Sequence, residues 1–183
     1  QMSGLPNTMN GIDLDVVDVK PQLRQGDTSA SIDATSTLDI FYLGAFITSI
    51  STLVPDFTTS VKTARDVNGA PFLAGDVLEY SIAVRNTGSD PSILTTLRDV
   101  LPVGVTYVPN SLSIVDGPGA GTLTDGADSD RGEYVAATRT VTVRLGENPT
   151  TTAGGRLNLN VLTTVRFRVT INANVVGNVS NQA

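Results

Sequence analysis

The sequence predicts an all-β protein, an antiparallel sandwich. Three observations carry that expectation. Val and Thr dominate the periodic stretches, and both suit a pleated, half-buried surface. Apolar and polar residues alternate with a period of two, while no long segment repeats its apolar residues at helical spacing. Turn signals, such as Asn68-Gly69, Thr87-Gly88-Ser89-Asp90-Pro91 and Pro109-Asn110, separate the runs.

Residues 1–56 read as one unit. Ile12-Asp13-Leu14-Asp15-Val16-Val17 alternates apolar and acidic residues, and Gln25-Gly26-Asp27 is a turn. Strands are expected at 28–33 and 38–50. The second is nearly continuous in apolar residues (Ile40, Phe41, Leu43, Ala45, Phe46, Ile47, Ile50), the pattern of a strand covered on both faces. So short a β-unit buries too little surface to stand alone. It reads either as an incomplete sandwich or as strands added to the next unit. Unpaired strand edges recruit partners, so an oligomer or strand pairing between chains is expected.

A linker at 53–59, marked by Val54-Pro55-Asp56, leads into a second unit at 60–183. Its first strand is expected at 60–64. The clearest strand is 76–86, with Val77, Tyr80, Ile82 and Val84 as apolar positions and Tyr80 in the core. Asn86-Thr87-Gly88 ends it, with Asn and Gly suited to left-handed backbone. The next strand, 92–100, is stopped by Leu101-Pro102-Val103-Gly104. Strands at 105–108 and 111–115 flank Pro109-Asn110, and 116–132 is a Gly/Asp loop. Strands at 134–136, 140–145, 161–171 and 175–181 complete the set.

Composition excludes several functions. The chain has no histidine, cysteine or tryptophan, which removes Ser-His-Asp and Cys-His catalysis, the usual zinc sites and disulfides. Net charge is -6, and the arginines are spread through strands, as in Val165-Arg166-Phe167-Arg168-Val169. Without a basic stripe interleaved with aromatics, nucleic acid is not an expected partner. No apolar run approaches a membrane span, so membrane insertion is not expected. No secretory signal is present and Gln1 is not an initiator methionine, which reads as a mature or excised fragment. An acidic, Thr/Asn-rich, lysine-poor, cysteine-free β-protein reads as extracellular or cell-surface and prokaryotic. Glycosidase chemistry needs two carboxylates across a cleft, and the sequence argues for no cleft. No enzyme with turnover is expected.

Lys62 is one of two lysines against ten arginines. Burial can strip a lysine of its proton and leave a nucleophile, which arginine never becomes. Asp99 shares a strand face with Leu97 and Leu101, and Asn181 shares one with Val179. Amine, acid and carboxamide together are the set for a self-made isopeptide bond. The neutral amine attacks the Asn181 carboxamide carbon, while protonated Asp99 polarises the carbonyl and shuttles protons as ammonia leaves. The plainer alternative is an exposed Lys62, a turn or surface Asp99 and an ordinary Asn181 amide. A second candidate site is the acidic loop. Asp125, Asp128, Asp130 and Glu133 could collect oxygens around calcium, although Arg131 opposes a cation and the spacing is not that of an EF-hand. Asp13, Asp15 and Asp18 are a weaker calcium candidate on one strand face. Otherwise no cofactor is expected.

Residues 60–183 resemble the repeat domain catalogued as DUF11, found in tandem on bacterial and archaeal surface proteins. The matching residues begin with Lys62-Thr63 and Gly75-Asp76-Val77-Leu78-Glu79-Tyr80-Ser81-Ile82-Ala83-Val84-Arg85-Asn86-Thr87-Gly88. They continue with Asp99-Val100-Leu101-Pro102-Val103-Gly104-Val105-Thr106-Tyr107 and end with Asn181-Gln182-Ala183. Residues 1–56 resemble the end of the domain that precedes such repeats in large secreted proteins, myxobacterial ones among them. The resemblance implies an immunoglobulin-like sandwich and a structural role in an adhesin, stalk or filament. Isopeptide bonds occur in related surface domains, which strengthens the reading of Lys62, Asp99 and Asn181. The expected partners are other domains of the same protein or other copies of the chain. The rival reading is a module that binds polysaccharide or another cell-surface partner.

Overall fold

The structure, a computed structural model, describes residues 17–24, 27–33, 35, 37, 45–48, 53–175, 177 and 179–183. The chain divides into two compact units, Gln1–Ser49 and Ile50–Ala183. Among the described residues no helix is long and apolar enough to cross a membrane.

The described part of the first unit holds one 3-10 turn, Lys20–Gln22, and no strand. Residues 28–33, expected as a strand, are exposed and unpaired in any ladder. Their one large apolar side chain, Ile32, is 57% exposed, so burial rewards no pairing there. Residues 45–48 also lack strand structure, with Phe46 and Ile47 exposed, unlike the two-sided burial expected of 38–50. Residues 12–16 of the alternating stretch, with Asp13 and Asp15, lie outside the described residues, as do 25–26 of the expected turn and 38–44 and 49–50 of the expected strand. Asp18 is exposed.

The second unit is an all-β sandwich. Its strands are β1 (Val61–Asp66), β2 (Val77–Arg85), β3 (Ser92–Val100), β4 (Val105–Tyr107) and β5 (Ser113–Asp116). The chain continues with β6 (Gly121–Thr122), β7 (Gly132–Val135), β8 (Thr140–Arg144), β9 (Gly155–Leu157) and β10 (Leu162–Ile171). One sheet runs β1-β2-β10-β5-β6, with β4 also on β10; the other runs β7-β8-β3-β9, and every pairing is antiparallel. Alternation aims Leu78, Tyr80, Ile82 and Val84 of β2 and Val165, Phe167 and Val169 of β10 into the core. Val141 and Val143 of β8 meet them from the other sheet, with Leu145 and Leu157. The Tyr80 and Phe167 rings tilt together at 5.5 Å between centroids.

Three differences from the expected elements have physical causes. The short strand β9 was not expected, because glycines carry no strand pattern. There they are needed: a Cβ on Gly154 would lie 1.8 Å from the Thr95 carbonyl oxygen, and one on Gly155 1.9 Å from that of Glu147. The strand expected at 175–181 is absent among the described residues, which are mostly exposed or half-buried there and join no ladder. Val179 still packs on the core. Finally, residues 53–59, expected as a linker, are stitched into the sandwich. The Asp56 carbonyl accepts from Thr87 N at 2.8 Å and that of Val54 from Ser89 N at 2.9 Å.

Asn86 organises that corner. It is fully buried and is not in left-handed backbone. Its Oδ1 accepts from Asp56 N at 3.0 Å and Gly88 N at 3.1 Å, while its Nδ2 donates to the Asp90 carbonyl at 2.8 Å. Asn86→Ala would orphan these backbone groups, so denaturant unfolding should show a loss of about 2–4 kcal/mol. A change under about 0.5 kcal/mol would refute this role. The turn after β3 has a comparable fastener. Arg139 donates to the Leu101 carbonyl at 3.1 Å, to that of Val105 at 2.7 Å and to that of Pro102.

Candidate functional site

Lys62 and Asp99 come from opposite sheets and meet inside the sandwich. β1 places Lys62 opposite Ile82, and β3 places Asp99 opposite Val141. The lysine side chain is 12% exposed and the aspartate is fully buried. Lys62 Nζ donates to Asp99 Oδ2 in a close contact. Asn181 Nδ2 approaches the same oxygen at 3.5 Å. The three residues singled out in the sequence therefore converge on one carboxylate, tying the first strand of the unit to its C-terminal segment.

Sequence reasoning missed the floor of this site. Lys62 Nζ sits 4.7 Å from the centroid of the Tyr80 ring and 6.0 Å from that of Phe167. The alternation that aims Tyr80 inward was legible. Its position under the amine depends on β1 and β2 pairing in this register. A groove of about 940 Å³ adjoins the site and includes Lys62, Asn181, Phe57, Leu97 and Leu145 among its lining residues.

Burial dominates the electrostatics. Desolvation lowers the Lys62 pKa from its ordinary value, although the Asp99 hydrogen bond and charge oppose that shift. Desolvation also raises the Asp99 pKa, against the pull of Lys62 and the Asn181 amide. Both partners are thus pushed toward their neutral forms, an amine and a carboxylic acid. The Tyr80 phenol is raised by burial as well, with the Asn181 amide working against that.

Hydrogen-bond accounting points the same way. Among the described residues Asp99 Oδ1 and Asn181 Oδ1 are buried acceptors without a donor. An ionised carboxylate supplies no donor, whereas a protonated Asp99 supplies one. The amide nitrogen of Asn181, rather than the expected carbonyl oxygen, faces Asp99 Oδ2. Rotating the amide end for end exchanges the two atoms without moving the backbone. In the first orientation the acid faces the leaving nitrogen; in the second it faces the carbonyl it would polarise.

The acidic loop is arranged differently. Asp125 accepts from the Tyr107 hydroxyl at 2.6 Å and from Asn110 N at 2.7 Å. Asp128 and Asp130 accept from the Thr124 hydroxyl at 2.6 and 3.0 Å, and Asp130 also accepts from Thr124 N and Gly132 N. Glu133 lies 3.7 Å from Arg144 Nη1. Asp128 and Asp130 are turned onto their own loop while Asp125 and Glu133 are held by neighbouring segments, and among the described residues no three acidic groups gather as a metal-holding cluster. Calcium binding there would have to displace those hydrogen bonds.

No family model, curated protein or solved structure matches the chain. The fold and the site together define a β-sandwich with a buried aspartate between its sheets, approached by a mostly buried lysine and a half-buried asparagine.

Proposed function

We propose that this chain is a structural segment of a multidomain extracellular surface protein of a prokaryote, such as an adhesin, stalk or filament. In this reading the second unit is a DUF11-type, immunoglobulin-like domain closed by a self-formed amide between Lys62 and Asn181. One observation carries it: an amine with only 12% of its side chain exposed and a half-buried carboxamide both approach one fully buried carboxyl group.

The chemistry balances within the site. Lys62 Nζ attacks Asn181 Cγ, a C–N bond forms, and the Cγ–Nδ2 bond breaks. The amine gives up a proton, Asp99 relays it to the departing nitrogen, and ammonia leaves. No oxidant or cofactor is required. Holding the groups in a folded core supplies the proximity that drives the step. The reaction happens once per molecule, so the protein is not an enzyme with turnover.

The mechanical consequence follows from where the bond falls. It would join β1 to the segment after β10, and tension between residues 62 and 181 would bypass every strand between them. High-accuracy intact mass tests this directly. The folded chain should be lighter than its sequence mass by one ammonia, and tryptic mapping should recover Lys62 joined to Asn181. A full sequence mass for folded protein refutes the bond.

A second reading, a module that binds polysaccharide or a cell-surface partner, is favoured by a different observation. The outer face of the first sheet has an arginine-lined groove.

A further inference from the structure

The same alternation that aims Lys62, Tyr80 and Phe167 inward sends Arg65, Glu79, Arg166 and Arg168 to the other face of the sheet. Arg65 and Arg168 both lie opposite Glu79 in the ladders, and Arg166 lies opposite Ser81. Glu79 Oε2 accepts from Arg168 Nε at 3.0 Å and Nη2 at 2.9 Å. Its Oε1 accepts from Arg65 Nη2 at 3.2 Å and lies 3.5 Å from Arg166 Nε. Burial raises the Glu79 pKa, but the hydrogen bonds of Arg168 and Arg65 and the charges of Arg166 and Arg168 outweigh that and hold it below its ordinary value.

One carboxylate among three guanidiniums leaves this face locally positive on a chain of net charge -6. The guanidiniums have more donors than Glu79 has acceptor sites, and among the described residues Arg166 Nε, 3.5 Å from Glu79 Oε1, makes no hydrogen bond. Glu79, Arg166 and Arg168 themselves line a groove of about 350 Å³, together with Asn110, Ser113, Thr122 and Pro109 among others, and the two guanidiniums there outnumber the one carboxylate. That volume falls within the range of small-molecule sites.

We propose that this groove binds a carboxylated polysaccharide, with a uronate carboxylate seated on Arg166 and Arg168. The inference rests on the polysaccharide-binding reading and stands whether or not the Lys62–Asn181 amide forms. A guanidinium fork matches a planar carboxylate, and Glu79 holds Arg168 in place. Asn110, Ser113 and Thr122 offer hydrogen-bonding partners for sugar hydroxyls, and Pro109 offers an apolar surface for a ring face. A peptide is less well served, because strand addition needs a free edge. β10 is paired on both flanks, β5 is paired to both β10 and β6, and the edge strand β6 is only 2 residues long.

Calorimetric titration of the full chain at low ionic strength tests the proposal. The probes are a galacturonic acid hexamer, its fully methyl-esterified form, and poly-glutamate of matched charge. The acid hexamer should bind and added salt should weaken it, while the ester should not bind. Arg166→Gln should lower affinity about tenfold or more, the scale of one lost charged hydrogen bond. It leaves Glu79 with Arg65 and Arg168, and thermal melting should confirm that it folds. Ser113→Asp, which places a carboxylate in the groove, is the second variant and should abolish binding. Equal binding of the ester overturns carboxylate recognition but leaves the polysaccharide reading standing. No binding of acid or ester overturns both. Poly-glutamate binding as tightly as the hexamer, or affinity unchanged in both variants, also overturns the proposal.

Discussion

Lys62→Met should lower the melting temperature of the chain by roughly 10–25 °C. The estimate combines two effects. Joining residues 62 and 181 restricts the unfolded chain, which by analogy with a disulfide contributes about 4–5 kcal/mol. For a domain of this size each kcal/mol moves the midpoint by roughly 3–5 °C. Methionine keeps most of the lysine volume over the Tyr80 and Phe167 rings, so cavity formation adds little. Asp99 is left without its amine and stays neutral, as its burial already favours. Scanning calorimetry of the wild type and the variant checks the shift. If the midpoints agree within a few degrees, no covalent tie contributes to stability and the second unit is an ordinary sandwich.

Asp99→Ala should block the reaction and also leave the amine exposed to its environment. The variant should keep its full sequence mass and be less stable than Lys62→Met near neutral pH. Removing one partner from a buried pair strands the other, at a cost of about 3–5 kcal/mol. Its pH dependence has a definite sign. Burial depresses the folded Lys62 pKa below the ordinary 10.5, and removing Asp99 removes the two effects that opposed this. Between the depressed and ordinary values the unfolded chain binds a proton that the folded chain does not. Stability of the variant should therefore rise with pH through that window and fall as pH drops through the folded value. The cross-linked wild type has no amine to titrate and should lack that rise. Tyr80 and Tyr107 are both raised by burial, so both proteins lose stability above the ordinary tyrosine value of 10.0. The comparison belongs below that pH. Parallel urea titrations at several pH values check it, and identical profiles for the two proteins would contradict an amide at Lys62.

The two units differed in how far they could be read. In the second, period-two alternation located β2 and β3 closely and aimed Asp99 inward beside Leu97 and Leu101. Local patterning encodes which way a side chain points, because successive residues of a strand face opposite sides. In the first, alternation without enough apolar surface misled: residues 28–33 have the rhythm of a strand but are exposed and, among the described residues, have no strand to pair with. Gly154 and Gly155 misled in the opposite sense. Their role is to let two backbones approach, and a single sequence does not show which backbone comes near.

The amino-acid sequence by itself determined the fold class, the turns of the sandwich, the inward facing of Tyr80, Ile82 and Val84, and the short list of groups able to form an amide. Only the tertiary structure decided that Lys62 and Asp99, on opposite sheets, share one contact with Asn181 beside them. It also set Tyr80 and Phe167 beneath the amine and gathered Arg65, Arg166 and Arg168 around Glu79. The reason is the same in each case. Side-chain direction is a local property of a strand, whereas strand neighbours are chosen by burial and hydrogen bonding across long loops, and those pairings bring residues far apart in sequence into contact.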